Sequence, residues 1–262
     1  MKLYPLSLVH SKFLKGQAAN YLSIGLMFLL CFSFQNCVSQ EKKNPENNNN
    51  IYTFKRGNPN GIGKVYEGRE IARVMGYQGM AWLNRPEREK EENVSLLIKN
   101  MEIQPTDVIA DIGAGSGYHV FKMAPLANKG KVYAVDIQPE MLAEIKRQSD
   151  MQNVENIQLV LGSEKSPNLP EKALDKVLMV DVYHEFSFPY EMLLEIKSSL
   201  KAGGKVYLIE YRAEDPKIPI KPIHKMSEKQ AVKEFEIAGF RLVENKDNLP
   251  WQHCMVFEKS SE

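Results

Sequence analysis

Asp107-Val-Ile-Ala-Asp-Ile-Gly-Ala-Gly-Ser-Gly-Tyr-His119 decides how the rest of the chain is read. Val108, Ile109, Ala110 and Ile112 form a short apolar run of the kind found in parallel strands buried on both faces. Gly113, Gly115 and Gly117 follow at alternate positions. Glycine reaches φ > 0 and has no Cβ, so such a loop can turn sharply and lie against a ligand before the next helix, expected over about residues 118 to 126. That helix would aim its partial positive end at the ligand.

A second strand, Lys131-Val-Tyr-Ala-Val-Asp136, ends in a carboxylate 19 residues beyond Gly117. An acid at the tip of the second strand, about 20 residues after a glycine loop, is placed to accept hydrogen bonds from a ribose diol. A nucleoside is the expected ligand. The dinucleotide fingerprint G-x-G-x-x-G is not met, because Tyr118 stands where its third glycine would be. Asp111, inside the strand end, would repel a pyrophosphate but neutralise an ammonium or sulfonium.

Asp111-Ile-Gly-Ala-Gly-Ser-Gly117 resembles the first motif of the class I S-adenosylmethionine-dependent methyltransferases, and Asp136 resembles their ribose-binding acid. The resemblance spans roughly residues 51 to 258 and is most specific from 107 to 212. It implies an α/β, Rossmann-like fold: a seven-stranded, mostly parallel sheet with an antiparallel C-terminal hairpin and helices on both faces. It also implies S-adenosyl-L-methionine as cofactor. Asp111, Gly113, Gly115 and Gly117 would then cradle its amino-acid portion, and Asp136 would hold the ribose, with Ile137 beside it. Ser163 and Glu164, after the third strand, would neighbour the adenine.

The pattern downstream alternates strand and helix. Helices are expected over 140–149, with Pro139 at the start, over 189–200, and over 227–238, with Ser227 as cap. Strands are expected over 156–161, 174–180 and 205–211, followed by a closing pair, 240–244 and 252–258. Upstream, residues 51–104 read as a helical cap. A short helix is expected over 67–75 and a longer one from Asn84 to Met101, with Tyr66, Tyr77 and Trp82 available to line a pocket.

In open α/β sheets the ligand lies beyond the carboxyl ends of the strands, where the strand order switches. The fourth strand delivers Asp181-Val-Tyr-His-Glu-Phe186 to that crevice. Methyl transfer from a sulfonium is an in-line displacement, so an acceptor lone pair must be aligned and any acceptor proton taken up. His184 is the natural base near neutral pH, Glu185 can orient it or meet a cationic acceptor, and Tyr183 can wall the methyl site. Asp181 can accept a hydrogen bond from the cofactor or acceptor. Glu210-Tyr-Arg212 can close the far wall. His10, His224 and His253 are scattered along the sequence and no cysteines cluster, so no metal site is expected.

Composition narrows the partners. The 262 residues, 43% hydrophobic, suit one large core, and Lys+Arg 34 against Asp+Glu 33 leaves no basic excess. Such balance carries no electrostatic footprint for nucleic acid, and a small-molecule acceptor is expected. Lys2, Lys12 and Lys15 precede an apolar stretch over 21–34, the order of a secretory signal. Phe34-Gln-Asn-Cys37 resembles a lipoprotein processing site; ordinary cleavage after Ser39 is the rival, and an uncleaved membrane anchor a further one. Residues 1–39 are read as signal or anchor, 40–50 as a disordered tether and 105–262 as the catalytic core. The expected location is exported, periplasmic or membrane-anchored through Cys37; it becomes cytoplasmic if the leader is misread. The sequence does not fix an oligomeric state.

Two rival functions remain at this point. One is an exported, non-catalytic binder of S-adenosylmethionine or another nucleoside. The other is an NAD-dependent oxidoreductase, disfavoured by Tyr118 and by the lack of a nicotinamide half.

Overall fold

The computed structural model describes residues 51–260. The leader, the tether and Cys37 lie outside the described residues. Among those described, no helix is long and apolar enough to cross a membrane.

The chain opens with a three-stranded antiparallel sheet, β1 (Tyr52–Phe54), β2 (Gly61–Tyr66) and β3 (Arg69–Ala72). The helix expected over 67–75 is therefore a correction: Glu67 (φ 51) and Gly68 (φ 94) make a left-handed turn, and β3 returns along β2. Three short helices follow, α1 (Met80–Leu83), α2 (Arg88–Glu92) and α3 (Val94–Asn100). The single helix expected from Asn84 to Met101 is broken at Asn93, whose φ of 50 ends α2 and whose side chain caps α3 by accepting from Leu96 N–H at 3.2 Å. The segment before the core is thus part sheet, not a purely helical cap.

The remaining elements are β4 (Val108–Ile112), α4 (Val120–Met123), β5 (Lys131–Asp136), α5 (Pro139–Gln152), β6 (Ile157–Leu161), β7 (Leu174–Val180), α6 (Pro189–Ser199), β8 (Leu200–Tyr211), α7 (Glu228–Ile237), β9 (Phe240–Asn245) and β10 (Gln252–Lys259). Seven strands form one sheet in the order β6-β5-β4-β7-β8-β10-β9, parallel except for β10, which runs antiparallel to both neighbours. The expected fold is met. Pro139 and Pro189 open their helices, where a missing N–H costs nothing, and Ser227 caps α7 by accepting from Gln230 N–H. The helix expected after the glycine loop shrinks to one turn, so its dipole contributes little.

Alternation along the strands sends side chains to two cores. Ala110, Ile112, Val177 and Met179 meet Leu193 and Ile196 of α6 and Phe235 of α7 on one face. Ile109, Val132 and Leu178 meet Leu97 of α3 and Ile145 of α5 on the other. Cys254, in β10, is a fully buried member of the second core. The chain runs outward from β4 through β5 to β6, then returns to β7 on the other side. This reversal between β4 and β7 leaves their carboxyl ends open to a crevice.

Candidate active site

The ends of β4, β5, β7 and β8 and the residues just after β6 contribute to one cavity of about 510 Å³ at this switch point. Its floor begins where β4 ends. Gly113 (φ 76) and Gly115 (φ 53) lie in left-handed backbone, and a Cβ on Gly113 would stand 2.4 Å from Val182 Cγ2, one on Gly115 2.7 Å from Leu83 Cδ1. Neither position admits a side chain without strain and collision. Gly117 (φ 82) completes the turn but does not line the cavity.

Asp136, at the tip of β5, lines the cavity and holds the loop. Its Oδ2 accepts from Gly115 N–H and its Oδ1 from Gln138 N–H, each at 2.9 Å. Each carboxylate oxygen still has a lone pair to offer a diol. Ile137 beside it is 42% exposed and lines the cavity too, as do Ser163 and Glu164 beyond β6. An apolar side chain beside an acid suits a nucleoside, with its flat base and polar sugar.

Asp111 departs from expectation. It is buried beneath the loop and does not line the cavity; its Oδ2 has no partner, and burial pushes its carboxyl up to about 7, aided by Asp136 and opposed by Arg88. Asp181 does line the cavity. It adopts φ 50, accepts from Gln252 Nε2 at 2.7 Å, and keeps Oδ1 without a partner. Burial, with Glu92 and Glu210 nearby, raises its pKa well above the usual carboxylate range. A strained, half-buried acid with an unpaired acceptor atom marks a place for a donor from a ligand.

The chain then turns through a single 3₁₀ turn, Tyr183–Glu185. His184 and Glu185 line the cavity, but Tyr183 does not. Tyr183 is fully buried, packs on Phe235 and donates to Glu234 Oε2 at 2.8 Å; its expected role as a wall is corrected to that of a strut under the turn. Glu234 also receives both arms of Arg69 from β3, at 2.7 Å each, and Arg69 donates to the His184 carbonyl. The N-terminal sheet thereby clamps the turn.

Glu210, not Glu185, orients His184. Its Oε2 lies 2.6 Å from Nδ1, and both side chains are buried. Burial opposes charge on His184, and the Glu210 carboxylate outweighs it, so the pKa is raised. Glu185 accepts at both oxygens from Met75 N–H, 3.2 Å each. Burial lifts it to about 7 against the pull of His184. Further contributors came without a sequence signal. His224, on the Pro-rich stretch after β8, brings Nδ1 to 3.2 Å from His184 Nε2, which corrects the view that the histidines are scattered. Burial, and then the neighbouring His184, lower its pKa to about 4. Arg88 and Leu83 reach the cavity from the N-terminal helices; Trp82 does as well, whereas Tyr66 and Tyr77 do not. Tyr211 joins the wall and donates to Glu92, while Arg212 turns outward to Asp247.

These residues fit S-adenosylmethionine. Two glycines bring bare backbone to the cavity, an acid and an apolar side chain stand at the nucleoside position, and Asp181 offers an unpaired acceptor. Gly113, Gly115, Asp136, Ile137, Ser163 and Glu164 would hold it, with Asp181.

Comparison with known proteins agrees. Residues 103–255 match the family described as methyltransferase domain. The chain is 24% identical over 164 residues to YcgJ, an uncharacterized methyltransferase of Bacillus subtilis (strain 168), covering 62% of this chain and 64% of YcgJ. It is 31% identical over 115 residues to a tRNA U34 carboxymethyltransferase of Pseudoalteromonas translucida, covering 43% of this chain and 34% of that one. In fold it is similar to the crystal structure of a SAM-dependent methyltransferase from Aquifex aeolicus, with TM-score 0.66 and 22% identity over 70% of this chain and 98% of that one.

Proposed function

Since the chain belongs to the methyltransferase-domain family, we propose that it is a class I S-adenosylmethionine-dependent methyltransferase whose acceptor is a small molecule held in the same cavity, beside the His184 turn. The observation that carries this reading is that Asp136 and Ile137 share one cavity with His184, Glu185 and His224. Bound there, S-adenosylmethionine supplies a methyl group made electrophilic by its sulfonium. The chain's own residues supply the rest. Gly113 and Gly115 let backbone approach, Asp136 and Asp181 offer acceptor lone pairs, and Trp82 and Leu83 add apolar wall from the N-terminal helices. His184, Glu185 and His224 meet the acceptor.

Two features support a small acceptor over a nucleic acid. Lysine and arginine are matched by acids across the sequence. The match to the tRNA enzyme covers only about a third of that protein. The order of residues 1–39 supports export, with lipidation at Cys37; fractionation of the host and the mass of the mature N-terminus test that part.

The test of function is release of S-adenosylhomocysteine from the full chain with a panel of thiol, phenol, amine and carboxylate acceptors. Turnover with at least one small acceptor is expected. Binding of S-adenosylmethionine with no turnover on any of them would favour the non-catalytic binder, and turnover on bulk tRNA alone would refute the small acceptor.

A further inference from the structure

Three potential metal-ligand atoms converge in the cavity. His184 Nε2 and His224 Nδ1 are 3.2 Å apart, and Glu185 Oε1 is 3.9 Å from the first and 3.8 Å from the second. A triangle with these sides has a point equidistant from its corners at about 2.1 Å, the length of zinc–nitrogen and zinc–carboxylate bonds. Two imidazoles and one carboxylate form a catalytic zinc donor set, which leaves positions open for a further ligand.

The surroundings are those of a built site. His184 Nδ1 is engaged by buried Glu210 at 2.6 Å, which fixes the ring and leaves Nε2 free to ligate, the carboxylate–histidine arrangement that orients metal-bound imidazoles. The Met75 N–H holds both oxygens of Glu185, and Arg69 pins the His184 carbonyl. The turn is thus fixed from two sides before any ion arrives. His224 is the least buried of the three, with 24% of its side chain exposed, and it sits on a separate loop that an ion would tie to β7 and β8.

We propose that His184, Glu185 and His224 bind one Zn²⁺ ion, and that the open positions of this ion receive the methyl acceptor as an anion, a thiolate or alkoxide. Coordination releases the acceptor's proton to solvent and leaves a lone pair held at a fixed place in the cavity. The second half of this statement rests on the methyltransferase reading; the metal site itself does not.

The full chain, without a histidine tag and stripped by chelator, is titrated with Zn²⁺ by calorimetry and with Co²⁺ by visible absorption. One equivalent should bind at submicromolar affinity, Co²⁺ should give d–d bands of a low-coordinate site, and added 2-mercaptoethanol should introduce a thiolate-to-cobalt charge-transfer band. His224→Ala and Glu185→Gln, each checked for native circular dichroism, should lose at least tenfold in affinity. Binding weaker than millimolar, or tight binding that survives in both variants, would overturn the site. Tight binding with no response to the thiol would overturn the acceptor role. S-adenosylmethionine binding is measured on the same stripped samples, so failure of the metal site with the cofactor still bound is distinguished from failure of the methyltransferase reading.

Discussion

The Glu210 carboxylate stands 2.6 Å from His184 Nδ1 with both side chains closed off from solvent, so the imidazole is fixed in one orientation by a residue 26 positions away. Glu210→Gln keeps the size but gives up the charge. A loss of about 10–100-fold in methyl transfer is expected, as for other partners that hold a reacting imidazole in place. Initial rates at saturating S-adenosylmethionine check this, with the cofactor's affinity as control; an unchanged rate would remove Glu210 from the account.

Arg69 and Glu234 form a doubly hydrogen-bonded buried pair that also anchors Tyr183. Removing one partner strands a charge. Glu234→Ala should therefore destabilise the fold by about 3–5 kcal/mol, read as a shift of the urea midpoint. Tyr183→Phe, which removes one hydroxyl and keeps the ring, should cost about 1 kcal/mol and leave turnover within a fewfold of normal.

Gly113→Ala places a methyl group where Val182 already sits, in backbone that non-glycine residues avoid. Cofactor binding should fall at least tenfold. The double variant with Val182→Ala opens that space and should recover part of the loss. Failure of the second change to help would show that backbone strain, not the collision, dominates.

Burial pushes the carboxyl of Asp111 up to about 7, with Asp136 adding to the rise and Arg88 opposing it. An unfolded chain releases this proton near pH 4. Between those values the folded state holds a proton that the unfolded state has lost, so this group's contribution to stability is full below pH 4 and falls as pH rises to 7. Glu185, also raised to about 7, acts in the same direction. Asp111→Asn should give a shallower fall in urea midpoint between pH 4.5 and 7 than the unmodified chain shows. An equal fall would contradict the assignment.

Much of the frame was legible because local signals agreed. The apolar run before Gly113, the acid at 136 and the first-turn prolines 139 and 189 each marked an element boundary where the chain turns. The N-terminal segment was misread because Glu67-Gly68 ends a strand, although its acid and glycine sit inside a helix-like spacing. Asn93 likewise breaks a pattern whose periodicity runs on through it. At the site, local reading reached the Asp181–Glu185 segment but could not sort its roles. Tyr183 faces Glu234, which is 51 residues away, and His184 faces Glu210 and His224, 26 and 40 away. Those pairings are made by α7, by β8 beside β7 and by the Pro-rich stretch, all brought to the end of β7 by the fold, and no spacing in the sequence encodes them.

Methyl transfer in this chain requires that Asp136 and the glycine loop grip an adenosyl group. Equilibrium dialysis of the full chain with isotopically labelled S-adenosylmethionine tests it directly. Saturable binding at one equivalent, unaffected by NAD and weakened at least tenfold by Asp136→Ala, is the expected result. Absence of saturable binding, or an affinity unchanged in that variant, would contradict it.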